Sequence, residues 1–196
     1  IGEGRRGGNV CLAVTLKGGV AFAARGTRSR GAMYDFRPDP ALDPAERYRQ
    51  LCEAADALTA GEPDGVANMA NVAALLWEFL PDLNWAGFYR MVEGPGGGEL
   101  VLGPFVGRPA CIRIALGKGV CGTAAQSGKT QLVTDVHAFR GHIACDAASQ
   151  SELVVPVIRA GQVIAVIDLD SPRLARFAAE DARGIEALAA LLADRI

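Results

Sequence analysis

Between residues 85 and 169 the chain is cut into about six short strand-like runs, most joined by connections too short to carry a crossover helix. This pattern constrains the fold strongly. Parallel neighbours need a dozen or more connecting residues, whereas antiparallel neighbours need only a turn. The runs are 85–92, 99–105, 111–114, 131–136, 153–158 and 163–169. The first two are joined by Gly94-Pro95-Gly96-Gly97-Gly98, a hairpin connection, and the last two by the tight turn Arg159-Ala160-Gly161-Gln162. Between the third and fourth runs, residues 117–122 are punctuated by glycine, and a short helix is expected over about 120–127.

Helical signals flank the strands. Asp43-Pro44-Ala45-Glu46 reads as a cap, a first-turn proline and a glutamate able to reach back to the cap. Tyr48, Leu51, Cys52, Ala55 and Leu58 then recur at helical spacing, and Cys52 in that stripe reads as a small buried hydrophobe. After the break Gly61-Glu62-Pro63-Asp64, a second helix over about 66–80 carries Val72, Leu75, Leu76 and Phe79. A last helix, about 179–195, opens with Glu180 and Asp181 at its positive end and bears Ile185, Leu188, Leu191 and Leu192. The expected architecture is α+β: a mostly antiparallel six-stranded sheet with the N- and C-terminal helices packed on one face.

The 196 residues suit one domain, and 50% apolar content excludes simple disorder. Residues 1–32 stand apart. They are glycine-rich and carry six basic residues (Arg5, Arg6, Lys17, Arg25, Arg28, Arg30) against Glu3, with no persistent helical or strand period. They read as an extension from an over-extended start, with Met33 the initiator, or as a weak targeting segment, leaving 33–196 as the domain. A net charge of −2 argues against nucleic acid as the main partner. No apolar run reaches the roughly 18 residues of a membrane span. The five cysteines (Cys11, Cys52, Cys111, Cys121, Cys145) are odd in number and include no CxxC pair, so a secreted disulfide scaffold is not indicated and a cytoplasmic, reduced chain is expected.

Candidate chemistry concentrates in the C-terminal half. Residues 117–122 superficially resemble a phosphate loop but lack its spacing; their glycines are expected to allow a positive-φ turn that brings Cys121 near a ligand. Cys111, Cys121 and Cys145 fall in glycine-rich or polar surroundings that suggest partial exposure. A zinc site from these three and His142 matches no common spacing, so no metal is expected. His137 and His142 flank Cys145 in a long polar loop, and His142 is the better placed to favour its thiolate. Asp168 and Asp170 interrupt an apolar strand two residues apart and so share a face, where one should hold its proton to higher pH. Such an acid can donate a proton, and the pair suits a ligand's ammonium group. Glu152, opening the neighbouring strand, can join them.

The element order resembles the GAF fold, a family of small-molecule binding and sensing domains. The motifs Asn84-Trp85-Ala86-Gly87-Phe88-Tyr89, Leu102-Gly103-Pro104-Phe105, Gly119-Val120-Cys121-Gly122-Thr123-Ala124, Asp135-Val136-His137, Gly141-His142-Ile143-Ala144-Cys145-Asp146, Ser151-Glu152 and Ile167-Asp168-Leu169-Asp170-Ser171 resemble the free methionine-(R)-sulfoxide reductases, catalytic members of that fold. The resemblance runs from about Pro44 to the C-terminus. It implies Cys145 as attacking thiolate and Cys121 and Cys111 as resolving thiols. It also implies Glu152, Asp168 and Asp170 as substrate-binding and proton-donating acids, and Trp85 and Tyr89 as pocket aromatics. The implied reaction converts free L-methionine (R)-S-oxide to methionine through a cysteine sulfenic acid and a disulfide. Thioredoxin is the implied external reductant, no cofactor is bound, and the chain is a homodimer. A non-catalytic GAF module sensing a small ligand is the competing reading; it has no use for three cysteines.

Overall fold

The computed structural model describes residues 12–15, 21–24, 38–39, 41–94, 97–141 and 146–196. The chain falls into two compact units, Ile1–Arg37 and Pro38–Ile196. In the first, strands β1 (Leu12–Thr15) and β2 (Ala21–Ala24) pair antiparallel, Leu12 opposite Ala24 and Thr15 opposite Ala21. No strand was expected there. Four residues are too few for a period-two signal, and the pairing itself defines these strands. Cys11 and Met33 lie outside the described residues.

In the second unit, α1 (Pro44–Thr59) starts where the Asp43 carboxylate accepts the Glu46 N–H at 2.9 Å. Glu46 does not complete the reciprocal bond; its side chain takes Arg49 and Gln50 instead. Asp64 caps α2 (Gly65–Phe79) by accepting from the Val66 and Ala67 amides. Six strands follow: β3 (Trp85–Gly94), β4 (Gly97–Gly107), β5 (Arg113–Ala115), β6 (Gln131–Val133), β7 (Ser151–Arg159) and β8 (Gln162–Ser171). Their order in the sheet is β5-β4-β3-β8-β7-β6, with each described pair antiparallel. Helix α3 (Gly119–Ser127) lies between β5 and β6 in sequence, and α4 (Ala179–Leu192) follows β8.

Two boundaries depart from expectation. The strand expected over 131–136 stops at Val133, because the Asp135 carboxylate accepts the His137 N–H at 2.9 Å and bends Val136–Ala138 into a single 3-10 turn. The strand expected from 111 begins only at Arg113, which leaves Cys111 in the preceding connection.

Alternation along the strands separates two faces. One face carries Phe88, Leu153, Val155, Ile167 and Leu169, shut off from solvent under α2 and α4, with α1 packed against both helices. Leu51, Leu76, Ile185, Leu188 and Leu192 of those helices are equally buried, and each such side chain contributes on the order of 1.5–3 kcal/mol. The Tyr48 hydroxyl of α1 donates to Asp181 at 2.6 Å, and Asp181 also accepts the Ala178 N–H at the start of α4. The other face carries Trp85, Tyr89, Val154 and Val166 and meets Val120, Cys121 and Ala124 of α3. With only nine residues, α3 covers part of that face, and a cleft lies beside it. Among the described residues no helix is long and apolar enough to cross a membrane.

Candidate active site

The acids come together through strand register. Asp168 and Asp170 lie on one face of β8, as period two requires. In β7, Glu152 stands directly opposite Asp170 and Val154 opposite Asp168. On the other side, in β3, Trp85 faces Asp170 and Gly87 faces Asp168. Glu152 and Asp168 are each only 6% exposed, and Asp170 is half-buried. Three carboxyls packed this way cannot all ionise at the usual pH. Burial pushes Glu152 well above the ordinary carboxylate range, and the charges of Asp168 and Asp170 add to it. Burial and Asp168 push Asp170 well up too. Burial raises Asp168 to about 6, the rise being held back by hydrogen bonds from Cys121 and Glu152. The cluster therefore keeps protons that exposed carboxyls would have lost.

Helix α3 brings Cys121 to this cluster. Gly117 and Gly119 adopt φ of +74° and +61°, the left-handed turn expected from the glycines. A Cβ on Gly122 would lie 2.4 Å from the Ala115 carbonyl, so only glycine lets α3 sit this close to β5. The first turn of α3 points inward as a result. Cys121 is 4% exposed, contrary to the partial exposure its glycine-rich surroundings suggested, with its Sγ 4.0 Å from Glu152 Oε1. Burial, then the charges of Asp168 and Glu152, push its thiol well up, so it stays neutral.

Tyr89, Ile114, Lys118, Gly119, Val120, Cys121, Asp146, Ser149, Glu152, Asp168 and Asp170 line a cleft of about 390 Å³, counting its open mouth. Cys145 and His142 lie outside the described residues, and the described chain resumes at Asp146. There it is tied to the sheet. The Asn84 side-chain Nδ2 donates to Asp146 Oδ2 at 3.2 Å and to Ser149 Oγ at 2.9 Å, while the Asn84 N–H donates to the Asp170 carbonyl. Asp146 also accepts the Ala148 N–H, and these bonds hold its carboxyl below the usual range. Asn84 thereby fixes the residue next to Cys145. An Asn84→Ala variant is expected to lose roughly 10–100-fold in kcat, the worth of one charge-assisted hydrogen bond. Its Tm should fall by only a few degrees, because the clamp lies at one edge of the core. A variant with wild-type kcat would remove Asn84 from the site.

The remaining expected residues divide. Tyr89 lines the cleft. Trp85 does not: it stacks between Tyr89 (5.8 Å between centroids) and Phe105 (5.2 Å), and its Nε1 donates to the Arg108 carbonyl. It props the ring that faces the cleft. Cys111 is half-buried against the same apolar cluster and is not a lining residue. His137 is exposed in the 3-10 turn and also lies off the cleft. Sequence reasoning passed over Lys118 and Ser149 as lining residues. The signal for Ser149 was Asp146 three residues earlier, whose carboxylate and carbonyl organise the turn. Lys118 carried no signal beyond its place among the glycines.

The GAF domain family matches residues 68–196. A protein of Escherichia coli named free methionine-R-sulfoxide reductase is 48% identical over 151 residues, covering 77% of this chain and 89% of its own. One of the same name from Saccharomyces cerevisiae is 41% identical over 156 residues, covering 77% and 86%. Among solved structures, free methionine-R-sulfoxide reductase from Neisseria meningitidis in complex with its substrate superposes with a TM-score of 0.76 at 44% identity, over 82% of this chain and 94% of that one.

Proposed function

The chain belongs to the GAF domain family and, within it, to the free methionine-R-sulfoxide reductases, and from that premise we propose that it reduces free L-methionine (R)-S-oxide in the cleft between α3 and the β7–β8 acids. The observation that carries the proposal is the row of Glu152, Asp168 and Asp170 on the cleft wall. A pocket that gathers three carboxyls and leaves Asp168 Oδ1 without a hydrogen-bond partner among the described residues suits an α-ammonium group. That group is present on the free amino acid and absent from a peptide-bound residue. Lys118 on the cleft wall is the complementary cation for the α-carboxylate.

Cys145 attacks the sulfoxide as its thiolate, and a carboxyl that has kept its proton delivers it to the departing oxygen. The oxygen ends on Cys145 as a sulfenic acid, the cysteine sulfur gives up two electrons, and methionine leaves. Cys121 or Cys111 then condenses with the sulfenic acid, releasing water and forming a disulfide. Thioredoxin resets the pair by thiol–disulfide exchange. Thiols supply all the electrons, and no bound cofactor is used. The place of Cys121 on the cleft wall supports a resolving role for it. Cytoplasmic location and a homodimeric state complete the reading.

The test is methionine formation from separated sulfoxide epimers and from N-acetylated substrate, with a thioredoxin system. The (R) epimer should turn over and the (S) epimer should not. Acetylation removes the ammonium and leaves the acids unpaired, a loss of about 3–5 kcal/mol, so kcat/KM should fall roughly 10²–10⁴-fold. Equal turnover of blocked and free substrate would remove the acids from substrate recognition.

A further inference from the structure

The reduction needs the acids to meet an ammonium group, yet the cleft presents them together with a thiol. Cys121 Sγ and carboxylate oxygens of Glu152 and Asp168 all lie within 4.8 Å of one another, on three buried side chains. Asp168 Oδ1 has no hydrogen-bond partner among the described residues. One soft sulfur and two carboxylate oxygens form a donor set for a thiophilic divalent cation.

The spacing suits that use. Two donors on one tetrahedral zinc stand about 3.3–3.6 Å apart. Cys121 Sγ and Glu152 Oε1 are 4.0 Å apart, and carboxylate torsions alone can draw the donors inward. The backbone is already fixed, with β7 and β8 locked in register and α3 held against β5 by Gly122.

We propose that Cys121, Glu152 and Asp168 bind a thiophilic divalent cation, with Zn²⁺ as the representative ion, and that the bound ion excludes the substrate's ammonium group. The second part rests on the substrate reading above. Binding breaks the Cys121 S–H bond and the O–H bond of any ligating carboxyl that has kept its proton, releases those protons to solvent, and forms one sulfur–metal bond and two oxygen–metal bonds. No electrons move, so the ion is a reversible inhibitor and not part of the reduction. It differs in ligands from the site of three cysteines and His142 that sequence spacing argued against. It also occupies Cys121 and thereby blocks one of the two thiols able to resolve the sulfenic acid.

The experiment titrates reduced, anaerobic protein with Co²⁺, whose bond to a thiolate gives a near-ultraviolet charge-transfer absorption. One ion per chain is expected, with the band displaced by Zn²⁺. Cys121→Ser should lose the band, while Cys145→Ser and Cys111→Ser keep it. Asp168→Asn should keep the band but bind Co²⁺ at least 10-fold more weakly, roughly one lost charged ligand. Absence of the band in the wild type, or its persistence in Cys121→Ser, would overturn the site. Should Cys121→Ser fail to fold, unchanged affinity in Asp168→Asn overturns it equally. Free methionine (R)-S-oxide should weaken apparent Co²⁺ affinity. If it does not, while the variants behave as stated, the cation site stands and the substrate reading of the cleft fails.

Discussion

Cys145→Ser protein should release no methionine, even in a single turnover with stoichiometric enzyme and no reductant. The loss should exceed roughly 10⁴-fold, because the step needs a sulfur able to give up two electrons and accept oxygen, and a serine hydroxyl does neither. The other described cysteines cannot substitute from where they sit. Cys121 is buried among acids that keep its thiol neutral, and Cys111 packs against the apolar cluster off the cleft. Cys52 lies in α1, with its thiol raised by burial and then by Glu53. Wild-type protein treated with one equivalent of substrate should instead release one methionine and gain one disulfide, which mass spectrometry can map. Cys121→Ala and Cys111→Ala should each keep the first turnover, and the one that stops thioredoxin recycling identifies the resolving thiol. Cys52→Ala should change neither step. Methionine release by the Cys145→Ser protein would sink the mechanism whatever the substrate preference.

The sheet was legible because its signals are local. Hairpin turns and period-two runs imply antiparallel neighbours, and caps such as Asp43 announce helix starts. The shared face of Asp168 and Asp170 follows from the same alternation. Their meeting with Glu152 does not. The Arg159-Ala160-Gly161-Gln162 turn pairs Arg159 with Gln162, and an unbroken ladder counted back from it puts Glu152 opposite Leu169, with the wrong face toward the aspartates. A register shift between Val157 and Ile158 moves the pairing by one residue, and Glu152 then faces Asp170. Nothing in the composition of the two strands marks that irregularity. The burial of Cys121 was hidden for a related reason. Glycine-rich segments usually read as exposed loops, but Gly122 here removes a Cβ so that a helix can press against a strand. Trp85 was legible as an aromatic of the site, yet whether it or Tyr89 faces the cleft depends on Phe105 across the β3–β4 pair.

Asp168→Asn should make the protein more stable and much less active, a combination that separates a functional acid from a structural one. Burial raises the Asp168 carboxyl to about 6, against about 3.9 in an unfolded chain. Between those values the folded state binds more protons than the unfolded state, so stability falls as pH rises through this window and stays lower above it. A shift of about two units corresponds to a cost on the order of 2–3 kcal/mol near pH 7.5. Asparagine has the same shape and no charge, so it removes that cost. For a chain of this size about 1 kcal/mol moves Tm by roughly 2–4 °C, and the variant should melt several degrees higher at pH 7.5. The advantage should shrink as pH drops below about 6 and vanish near pH 4, where aspartic acid is neutral in both states. Activity should move the other way, with kcat/KM reduced roughly 10²-fold or more by loss of a charge facing the substrate ammonium. Thermal melts of both proteins across pH 4–8, run beside the epimer assay, read both effects. A variant that loses activity and also melts lower at pH 7.5 would show Asp168 to be a structural partner in the β7–β8 sheet, and the acid row would then no longer carry substrate recognition.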